Sequence, residues 1–248
     1  MHLDGHDKMG LPAPGAVRIE LAAMDVLMVR LFDSIDEANM PWLVAADRAL
    51  RDAFGSALID LVPSYTTLML HYDCLTLTHA EACRRIETVL ADLAPADAGL
   101  AQRHEIPVWY DESVGPELRR VAQRAGISVA EVVRRHSEHE YHVFALGFAP
   151  GYGFMGLVEP ELATPRLTTP RRRVMAGSVG IAERQTAIYP LLSPGGWNIL
   201  GRTAIPLFEY ARRGEPLLNP GDRVRFVPVS REEFVRQGGD TSPLEVSA

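Results

Sequence analysis

The sequence predicts two domains, an α+β domain followed by a mostly β barrel. The first observation behind this prediction is that residues 16–95 alternate strand-like runs with two stretches whose apolar residues recur at helical spacing. The second is a change of composition at Tyr141, after which glycine, proline and short β-type runs such as "RVMAGSVGIA" and "RVRFVPV" dominate. Many short strands separated by Gly/Pro turns are typical of a barrel or sandwich. We therefore place a β-barrel at residues 141–230.

The first domain is predicted to have the element order β-β-α-β-β-α. Residues 17–32 contain two short strand-like runs, and residues 35–54 have the periodicity of an amphipathic helix, with a glycine directly after them. Two more strand-like runs follow, "LIDLVP" and "TTLMLHY". Thr78 and Glu81 then form a capping-box pattern that opens the second helix. This order predicts a sheet with helices on one face.

Three segments lie outside the two domains in this interpretation. Residues 1–15 are expected to be a disordered lead-in, and residues 231–248 a C-terminal tail. Residues 96–140 are expected to connect the domains through a polar linker, the strand "EIPVWY" and two short helices broken at Gly126. The second of these helices has Ser128 as its predicted N-cap.

Composition and charge argue against several classes of protein. The net charge of −7 disfavours general nucleic-acid binding, because phosphate contacts need a broad basic surface. The apolar run "LAAMDVLMVRLF" is too short to span a bilayer, and "MHLDGHDKMGLPAPG" lacks the regions of a secretory signal. The two cysteines form neither a zinc-type pair nor a disulfide framework. We therefore expect a cytoplasmic protein with no nucleic-acid or membrane partner.

Lysine is almost absent, and this bears on nucleotide and Schiff-base chemistry. Lys8 is the only lysine, and the other 24 of the 25 basic residues are arginines. A P-loop needs G-x-x-x-x-G-K-[ST], and Schiff-base catalysis needs a buried lysine. If ATP takes part in the function, we expect that this chain does not hold it by a P-loop.

A dense arginine segment, "TPRLTTPRRR", lies around two Thr-Pro steps and includes Arg166. Rigid Thr-Pro steps hold a guanidinium fork in place, which suits recognition of a carboxylate or phosphate. We expect this role, or a role in a subunit interface, for Arg171 and Arg173. The alternative is a solvated loop, and Arg172 is assigned to it.

The run "SPGGW" places a large aromatic residue directly after a proline and two glycines. Gly195 and Gly196 permit close approach of a ligand or of a partner's backbone. We expect Gly196→Ala to damage function through backbone geometry, which a positive φ at Gly196 would explain. Trp197 would then supply a flat wall beside the ligand. The plainer alternative is a tight β-turn followed by a core tryptophan.

Three histidines lie within seven residues, at positions 136, 139 and 142. A metal site is one interpretation, but no cysteine or carboxylate constellation clearly completes it, so we favour a solvated helix end and expect no metal. His136 alone is the better candidate, for a binding or acid–base role.

Two further polar residues are candidates in the barrel region. Ser178 lies in "AGSVG", where Ala176 occupies the first glycine position of the G-x-S-x-G nucleophile elbow, so the match to that motif fails. We expect its hydroxyl to be hydrogen-bonded in a turn. Gln185 can both donate and accept through one uncharged amide, which suits a lactam or urea group.

The motifs of the second half, taken together, resemble one family. In order along the chain they are G-F-x-P-G, T-P-R-x-R, A-G-S-V, Q-T, I-Y-P and S-P-G-G-W. This combination is similar to the KipI/allophanate hydrolase subunit 1 family. The resemblance covers nearly the whole chain and is densest over residues 104–229.

The resemblance implies a ferredoxin-like first domain and a cyclophilin-like barrel. It also implies a partner, the subunit 2 type protein, whose barrel packs against this one to form a shared site. The family includes the B subunit of the bacterial ATP-dependent 5-oxoprolinase. The expected function is therefore the opening of the lactam of 5-oxo-L-proline to L-glutamate, together with the subunit 2 type protein and a third 5-oxoprolinase subunit. The chain alone is expected to be inactive.

The resemblance leaves two alternatives open. One is a component of an allophanate/urea-type amide hydrolase or of a biotin-dependent carboxyltransferase, in which biotin would serve the complex. The other is a KipI-like inhibitor that binds a sensor histidine kinase. The chain departs from the usual family pattern at Met175, Glu183 and Ala187, where the family has proline, glycine and glycine, so the exact substrate stays open.

The expected site combines polar contacts with an aromatic wall. His136, Arg173 and Gln185 are expected to make the catalytic contacts with a small anionic amide substrate. The expected substrate-binding residues are Tyr152, Phe154, Arg171, Ser178, Tyr189, Gly195, Gly196, Trp197 and Arg202.

Overall fold

The computed structural model describes residues 17–97, 101–208 and 214–244. The predicted lead-in, including Lys8, lies outside these residues, as do the last four residues of the predicted tail. The chain divides into two compact units between Leu100 and Ala101. Within the described ranges, no helix combines the length and the apolar character that crossing a membrane requires.

The first unit is a four-stranded antiparallel sheet with two helices. Its strands are β1 (Arg18–Ala23), β2 (Val26–Arg30), β3 (Leu58–Ser64) and β4 (Thr67–Tyr72), and its helices are α1 (Met40–Phe54) and α2 (His79–Ala91). The strands lie in the order β1-β2-β4-β3. Alternate residues of the central strands, such as Leu27 and Leu70, are buried in the core, as is the apolar stripe of α1 that includes Leu43 and Leu50.

Local sequence signals place the start of α2 well, whereas α1 begins only at Met40, after a 3-10 turn at Glu37–Asn39, and not at the predicted residue 35. The capping box predicted for α2 is present: the Thr78 hydroxyl accepts from the Glu81 N–H at 3.3 Å, and the Glu81 carboxylate accepts from the Thr78 N–H at 2.9 Å. The observed order β-β-α-β-β-α matches the prediction. A ferredoxin-like domain runs β-α-β-β-α-β, so that name stays a prediction for this unit.

The second unit is a nearly closed barrel with a small outer ribbon. Its strands are β5 (Arg103–Val108), β6 (Glu140–Leu146), β7 (Gly153–Gly156), β8 (Arg171–Val174), β9 (Ser178–Ala182), β10 (Gln185–Ile188), β11 (Ser193–Gly195), β12 (Asn198–Arg202) and β13 (Arg223–Pro228). Seven strands form one mixed sheet in the order β12-β9-β10-β7-β6-β13-β5. The backbones of Trp109 and Arg202 exchange hydrogen bonds of 2.9 and 3.0 Å across the remaining gap. This contact brings the two edge strands together, so the predicted barrel is confirmed.

The described residues of the second unit also form the helices α3 (Leu118–Ala125), α4 (Val129–Glu138) and α5 (Arg231–Arg236). Helix α4 starts at the predicted N-cap, where the Ser128 hydroxyl accepts from the Glu131 N–H at 3.1 Å. Strand β5 pairs in parallel with β13, and Val121 of α3 and Val132 of α4 are buried in the barrel core. The segment 96–140 therefore does more than connect domains, because its strand and helices are integral to the barrel.

The ribbon of β8 and β11 packs on the outer face of the barrel wall. Along β9, Val179 and Ile181 belong to the core inside the barrel, whereas Ala182 belongs to a second, aromatic-rich cluster. Because successive side chains of a strand point to opposite faces, the second cluster lies outside the wall. Val174 of β8 joins it, and so does Leu244, which is buried although it falls in the predicted tail.

Candidate functional site: an aromatic cleft on the outer face of the barrel

An open cleft with a volume of about 110 Å³ lies at this outer cluster. Its lining residues are Phe148, Tyr152, Phe154, Arg166, Tyr189, Pro194, Gly195, Gly196 and Trp197. Six of the residues that the sequence predicted for substrate binding are therefore brought together here. We call this the aromatic cleft.

Tyr152 lies at the centre of the aromatic cleft. A tight loop delivers it, in which the Gly147 N–H donates to the Tyr152 carbonyl at 3.1 Å. Its ring centre lies 4.9 to 6.0 Å from those of Phe148, Phe154, Tyr189 and Trp197. Several of these pairs are edge-to-face, the arrangement that aromatic quadrupoles favour. The aromatic rings of the cleft wall therefore pack against one another through Tyr152.

The Pro-Gly-Gly turn forms one side of the cleft, and Gly195 is the glycine it requires. A β-carbon on Gly195 would lie 2.3 Å from the Tyr189 hydroxyl oxygen, far inside contact distance. A β-carbon on Gly196 would have its nearest neighbour at 3.5 Å, an ordinary contact, and Gly196 does not have a positive φ. The backbone requirement predicted for Gly196 is therefore wrong. The turn requires glycine at position 195, because the Tyr189 side chain leaves no space for a β-carbon there.

Tyr189 supplies a polar group to a largely apolar cleft. Burial raises the pKa of Tyr189, so its hydroxyl stays protonated at neutral pH and can donate a hydrogen bond. Its hydrogen-bond partners are the Tyr152 side chain and the Trp197 backbone. The cleft can therefore present a positioned hydroxyl beside an aromatic wall.

Arg166 is a functional candidate that the sequence interpretation did not select. Its guanidinium carbon lies 5.7 Å from the centre of the Trp197 ring, in a cation–π arrangement, and the residue is exposed. The signal was present in the sequence, because Arg166 follows a Thr-Pro step just as Arg171 does. Arg166, which follows the first Thr-Pro step, is the arginine whose side chain faces the cleft.

Arg171, predicted to bind substrate, is instead part of a buried ion pair. It is only 3% exposed and pairs with the Glu117 carboxylate. The other Glu117 oxygen accepts from the Ile199 N–H at 2.9 Å. Arg171 therefore ties the outer ribbon to the segment before α3 through its Nη2, while its Nε and Nη1 are buried without a partner among the described residues.

Arg202 and Ser178, also predicted to bind substrate, are buried away from the cleft. The Arg202 Nη1 donates to the carbonyls of Asp240 at 2.6 Å and Ser242 at 2.9 Å. Burial lowers the pKa of Arg202. Ser178 pairs with Arg202 in the register of β9 and β12 and is fully buried. Both predictions of substrate binding are corrected, because the C-terminal segment engages Arg202 and Ser178 is buried beside it. The hydrogen bond expected for the Ser178 hydroxyl is also wrong, since that hydroxyl has no partner among the described residues.

His136 lies in the barrel core with both ring nitrogens engaged. The Thr186 hydroxyl donates to the Gly180 carbonyl at 3.2 Å, so it accepts from His136 Nε2–H at 3.0 Å. His136 Nδ1 then accepts from the Tyr110 hydroxyl at 2.7 Å. The ring also stacks on Phe226 at 4.7 Å, and burial lowers the pKa of His136 to about 3. This places a neutral histidine away from the cleft, contrary to the predicted binding or acid–base role.

Arg173 and Gln185 are not among the residues that line the aromatic cleft. Arg173 is exposed on β8, and Gln185 is half-buried at the start of β10, opposite Gly156 of β7. Their catalytic roles stay predictions. In the part of the chain that the structure describes, no group of three or more His, Cys, Asp or Glu side chains is arranged to hold a metal ion.

The comparisons with known proteins agree with this architecture. A family model for the carboxyltransferase domain, subdomain C and D, matches residues 17–218. The B subunit of 5-oxoprolinase from Bacillus subtilis is 34% identical over 227 residues, which are 88% of this chain and 95% of that protein. The protein of the same name from Escherichia coli O157:H7 is 51% identical over 124 residues, 50% of this chain and 57% of that protein.

Solved structures show the same fold within longer chains. The crystal structure of TTHA0988 is 39% identical with a TM-score of 0.73 over 83% of this chain, which spans 40% of that chain. The Kluyveromyces lactis urea carboxylase has a TM-score of 0.73 over 94% of this chain, which spans 24% of that enzyme, and at 16% identity it shows the fold alone. The family resemblance predicted from the motifs is confirmed: the chain belongs to the carboxyltransferase domain family, subdomain C and D.

Proposed function

We propose that this chain is a subunit of a cytoplasmic, ATP-dependent 5-oxoprolinase. In this proposal it opens the lactam of 5-oxo-L-proline to L-glutamate together with a subunit 2 type partner and a third subunit. The relatives named as the B subunit of 5-oxoprolinase support the activity. The observation that carries the proposal is the aromatic cleft, which combines flat apolar walls, one hydroxyl and one guanidinium, as a small anionic lactam requires.

The cleft has the properties of a binding site that is completed by a second subunit. Pockets that enclose small ligands typically measure about 300–1,000 Å³, whereas this cleft holds about 110 Å³ and is open. Phe148 at its edge is 64% exposed, and Leu191 and Leu192, just before the Pro-Gly-Gly turn, are 45% and 50% exposed. Exposed apolar groups around a binding site are typical of protein interfaces. A partner that covered them would also enclose the cleft.

The chemistry fits a divided enzyme. A lactam amide is resonance-stabilised, so coupling to ATP makes ring opening favourable. Phosphoryl transfer to the lactam oxygen would make the ring carbon a better electrophile for water, and hydrolysis would break the C–N bond and release phosphate. In this scheme Trp197 and Tyr152 pack against the ring and Tyr189 orients it, while the partner subunits supply the phosphoryl transfer.

Reconstitution tests the proposal. Glutamate formation from 5-oxo-L-proline and ATP would be measured with this chain alone, with the partner proteins alone, and with all components. We expect glutamate only from the complete mixture. Activity of the purified chain alone would contradict the proposed division of labour. Undiminished activity of the partners without this chain would remove its proposed role.

A urea-type carboxyltransferase is the second candidate. The urea amidolyase of Lachancea kluyveri is 42% identical over 66 residues, 24% of this chain, and 4% of that protein is covered. Under this alternative the partner would carry biotin. Recovery of a biotinylated partner with the purified chain, together with urea-dependent rather than 5-oxoproline-dependent ATP hydrolysis, would favour it. Direct inhibition of a sensor histidine kinase by the isolated chain would instead favour a KipI-like role.

A further inference from the structure

The aromatic cleft contains a single ionised side chain among its described lining residues, that of Arg166. The other lining residues are aromatic, proline or glycine. No other charged side chain among these residues competes with the guanidinium for an anion. An anionic group entering the cleft would therefore meet one guanidinium among otherwise uncharged side chains.

The backbone on both sides of Arg166 is held in place. The Pro165 carbonyl accepts from the Asn198 side-chain amide at 3.0 Å, and the Leu167 N–H donates to the Gly196 carbonyl at 2.7 Å. Asn198 is fully buried, so the first of these anchors is shielded from water. The Cα of Arg166 is thus fixed beside the Pro-Gly-Gly turn, and its side chain extends over Trp197.

The guanidinium of Arg166 has no acceptor within the described part of the chain. Its observed contact there is the face of Trp197. A guanidinium over an aromatic face keeps its N–H groups pointing outward in its own plane, where they can bind a carboxylate with two parallel hydrogen bonds. Arg171 and Arg202 differ in this respect, because Glu117 and the carbonyls of the C-terminal segment already engage them.

We propose that Arg166 binds the carboxylate of the substrate and thereby sets the specificity of the site. This inference rests on the proposed function. The carboxylate of 5-oxo-L-proline is one bond away from a small, nearly flat ring. The Arg166 guanidinium lies over the Trp197 ring, and both residues line the cleft, so a lactam ring bound in the cleft beside Trp197 would bring its carboxylate close to the guanidinium.

The experiment uses the reconstituted complex and the variants Arg166→Gln, Arg166→Lys and Arg172→Gln. Arg172 is a matched control because it is an exposed arginine of the same segment that does not line the cleft. For Arg166→Gln we expect the KM for 5-oxo-L-proline to rise roughly 10- to 100-fold with a smaller change in kcat, since a charge-assisted pair is lost. Arg166→Lys should recover part of the affinity, and Arg172→Gln should match the unmodified complex.

Competition by 2-pyrrolidinone, which has the lactam but no carboxylate, separates recognition of the carboxylate from a general role. Its inhibition constant should be the same for the unmodified complex and for Arg166→Gln. An unchanged KM for 5-oxo-L-proline in Arg166→Gln would overturn the inference while leaving the proposed function intact. Equal weakening of 5-oxo-L-proline and 2-pyrrolidinone would also overturn it. A complex with no glutamate formation at all would remove the proposed function, and this inference with it.

Discussion

The buried polar groups of the second unit and the aromatic cleft on its outer face use the same residue types in opposite ways. Behind the cleft, the Arg171 guanidinium meets Glu117, and in the barrel core His136 meets Tyr110 and Thr186. In the cleft, the exposed Arg166 guanidinium lies over the Trp197 ring and has no acceptor among the described residues. Breaking such a buried contact destabilises the fold, whereas an exposed group without an acceptor can recognise a ligand. Variants of the two regions should therefore separate stability from activity.

The largest expected effect is on stability, from Arg171→Met. Removing one member of a buried ion pair leaves Glu117 buried and uncompensated, which costs about 3–5 kcal/mol. Urea denaturation would measure the free energy of unfolding, with Arg166→Met as the matched control, for which we expect a change within about 0.5 kcal/mol. A loss in Arg171→Met no larger than in the control would show that the pair does not stabilise the ribbon.

Gly195→Ala should affect both regions. The new β-carbon would displace the Tyr189 ring, because only 2.3 Å separates it from the hydroxyl oxygen. We expect a loss of about 1–3 kcal/mol in the free energy of unfolding. We also expect a fall of about tenfold or more in kcat/KM of the complex. Gly196→Ala is the control, since its β-carbon has room, and equal effects of the two substitutions would refute the steric explanation.

His136 should make stability depend on pH. Its pKa is about 3 when folded and near 6.5 when unfolded, so between these values the unfolded chain binds the extra proton. The contribution of His136 to the free energy of unfolding is therefore fully present above pH 6.5. Between pH 6.5 and pH 3 it declines by roughly 1.4 kcal/mol for each unit by which the pH falls. Urea denaturation at pH 7 and pH 5 should show a steeper loss for the unmodified chain than for His136→Gln. Parallel losses would mean that His136 is not buried in its neutral form.

The smallest expected effect is at Glu183, where φ is 50°. A side chain in the left-handed region is strained, and glycine relieves that strain at some cost in chain entropy. We expect Glu183→Gly to raise the free energy of unfolding by about 0.5–1 kcal/mol. Glu183→Ala removes the same charge but keeps the β-carbon, so it should bring no such gain. Equal stabilisation by both would assign the effect to the charge.

Local signals in the sequence were sufficient for much of the fold and for the cleft wall. The cap at Thr78 depends on residues three apart, and the short motifs containing Tyr152, Tyr189 and Trp197 do form one cluster. The parallel pairing of β5 with β13 joins residues 120 apart, as in the contact of Glu105 with Arg225, and no local pattern indicates it. This is why segment 96–140 was predicted to be a connection.

The same limit explains the errors at the site. Arg166 and Arg171 follow equivalent Thr-Pro steps, and their sequences do not distinguish them. Arg171 is buried and Arg166 is not, because Glu117, 54 residues from Arg171, supplies a buried acceptor for Arg171. His136 likewise becomes a core residue through Thr186, 50 residues away. Residue type predicted which groups could bind an anion, but long-range packing decides which of them are free to do so.

A crystal structure of the reconstituted complex with 5-oxo-L-proline would test the central claim most directly. We predict that the lactam ring lies in the aromatic cleft, with ring atoms within about 4 Å of Trp197, and that its carboxylate contacts the Arg166 guanidinium. His136 and Arg171 should keep their present partners. A ligand bound away from this cleft, or a carboxylate held by Arg171 after its separation from Glu117, would contradict the claim.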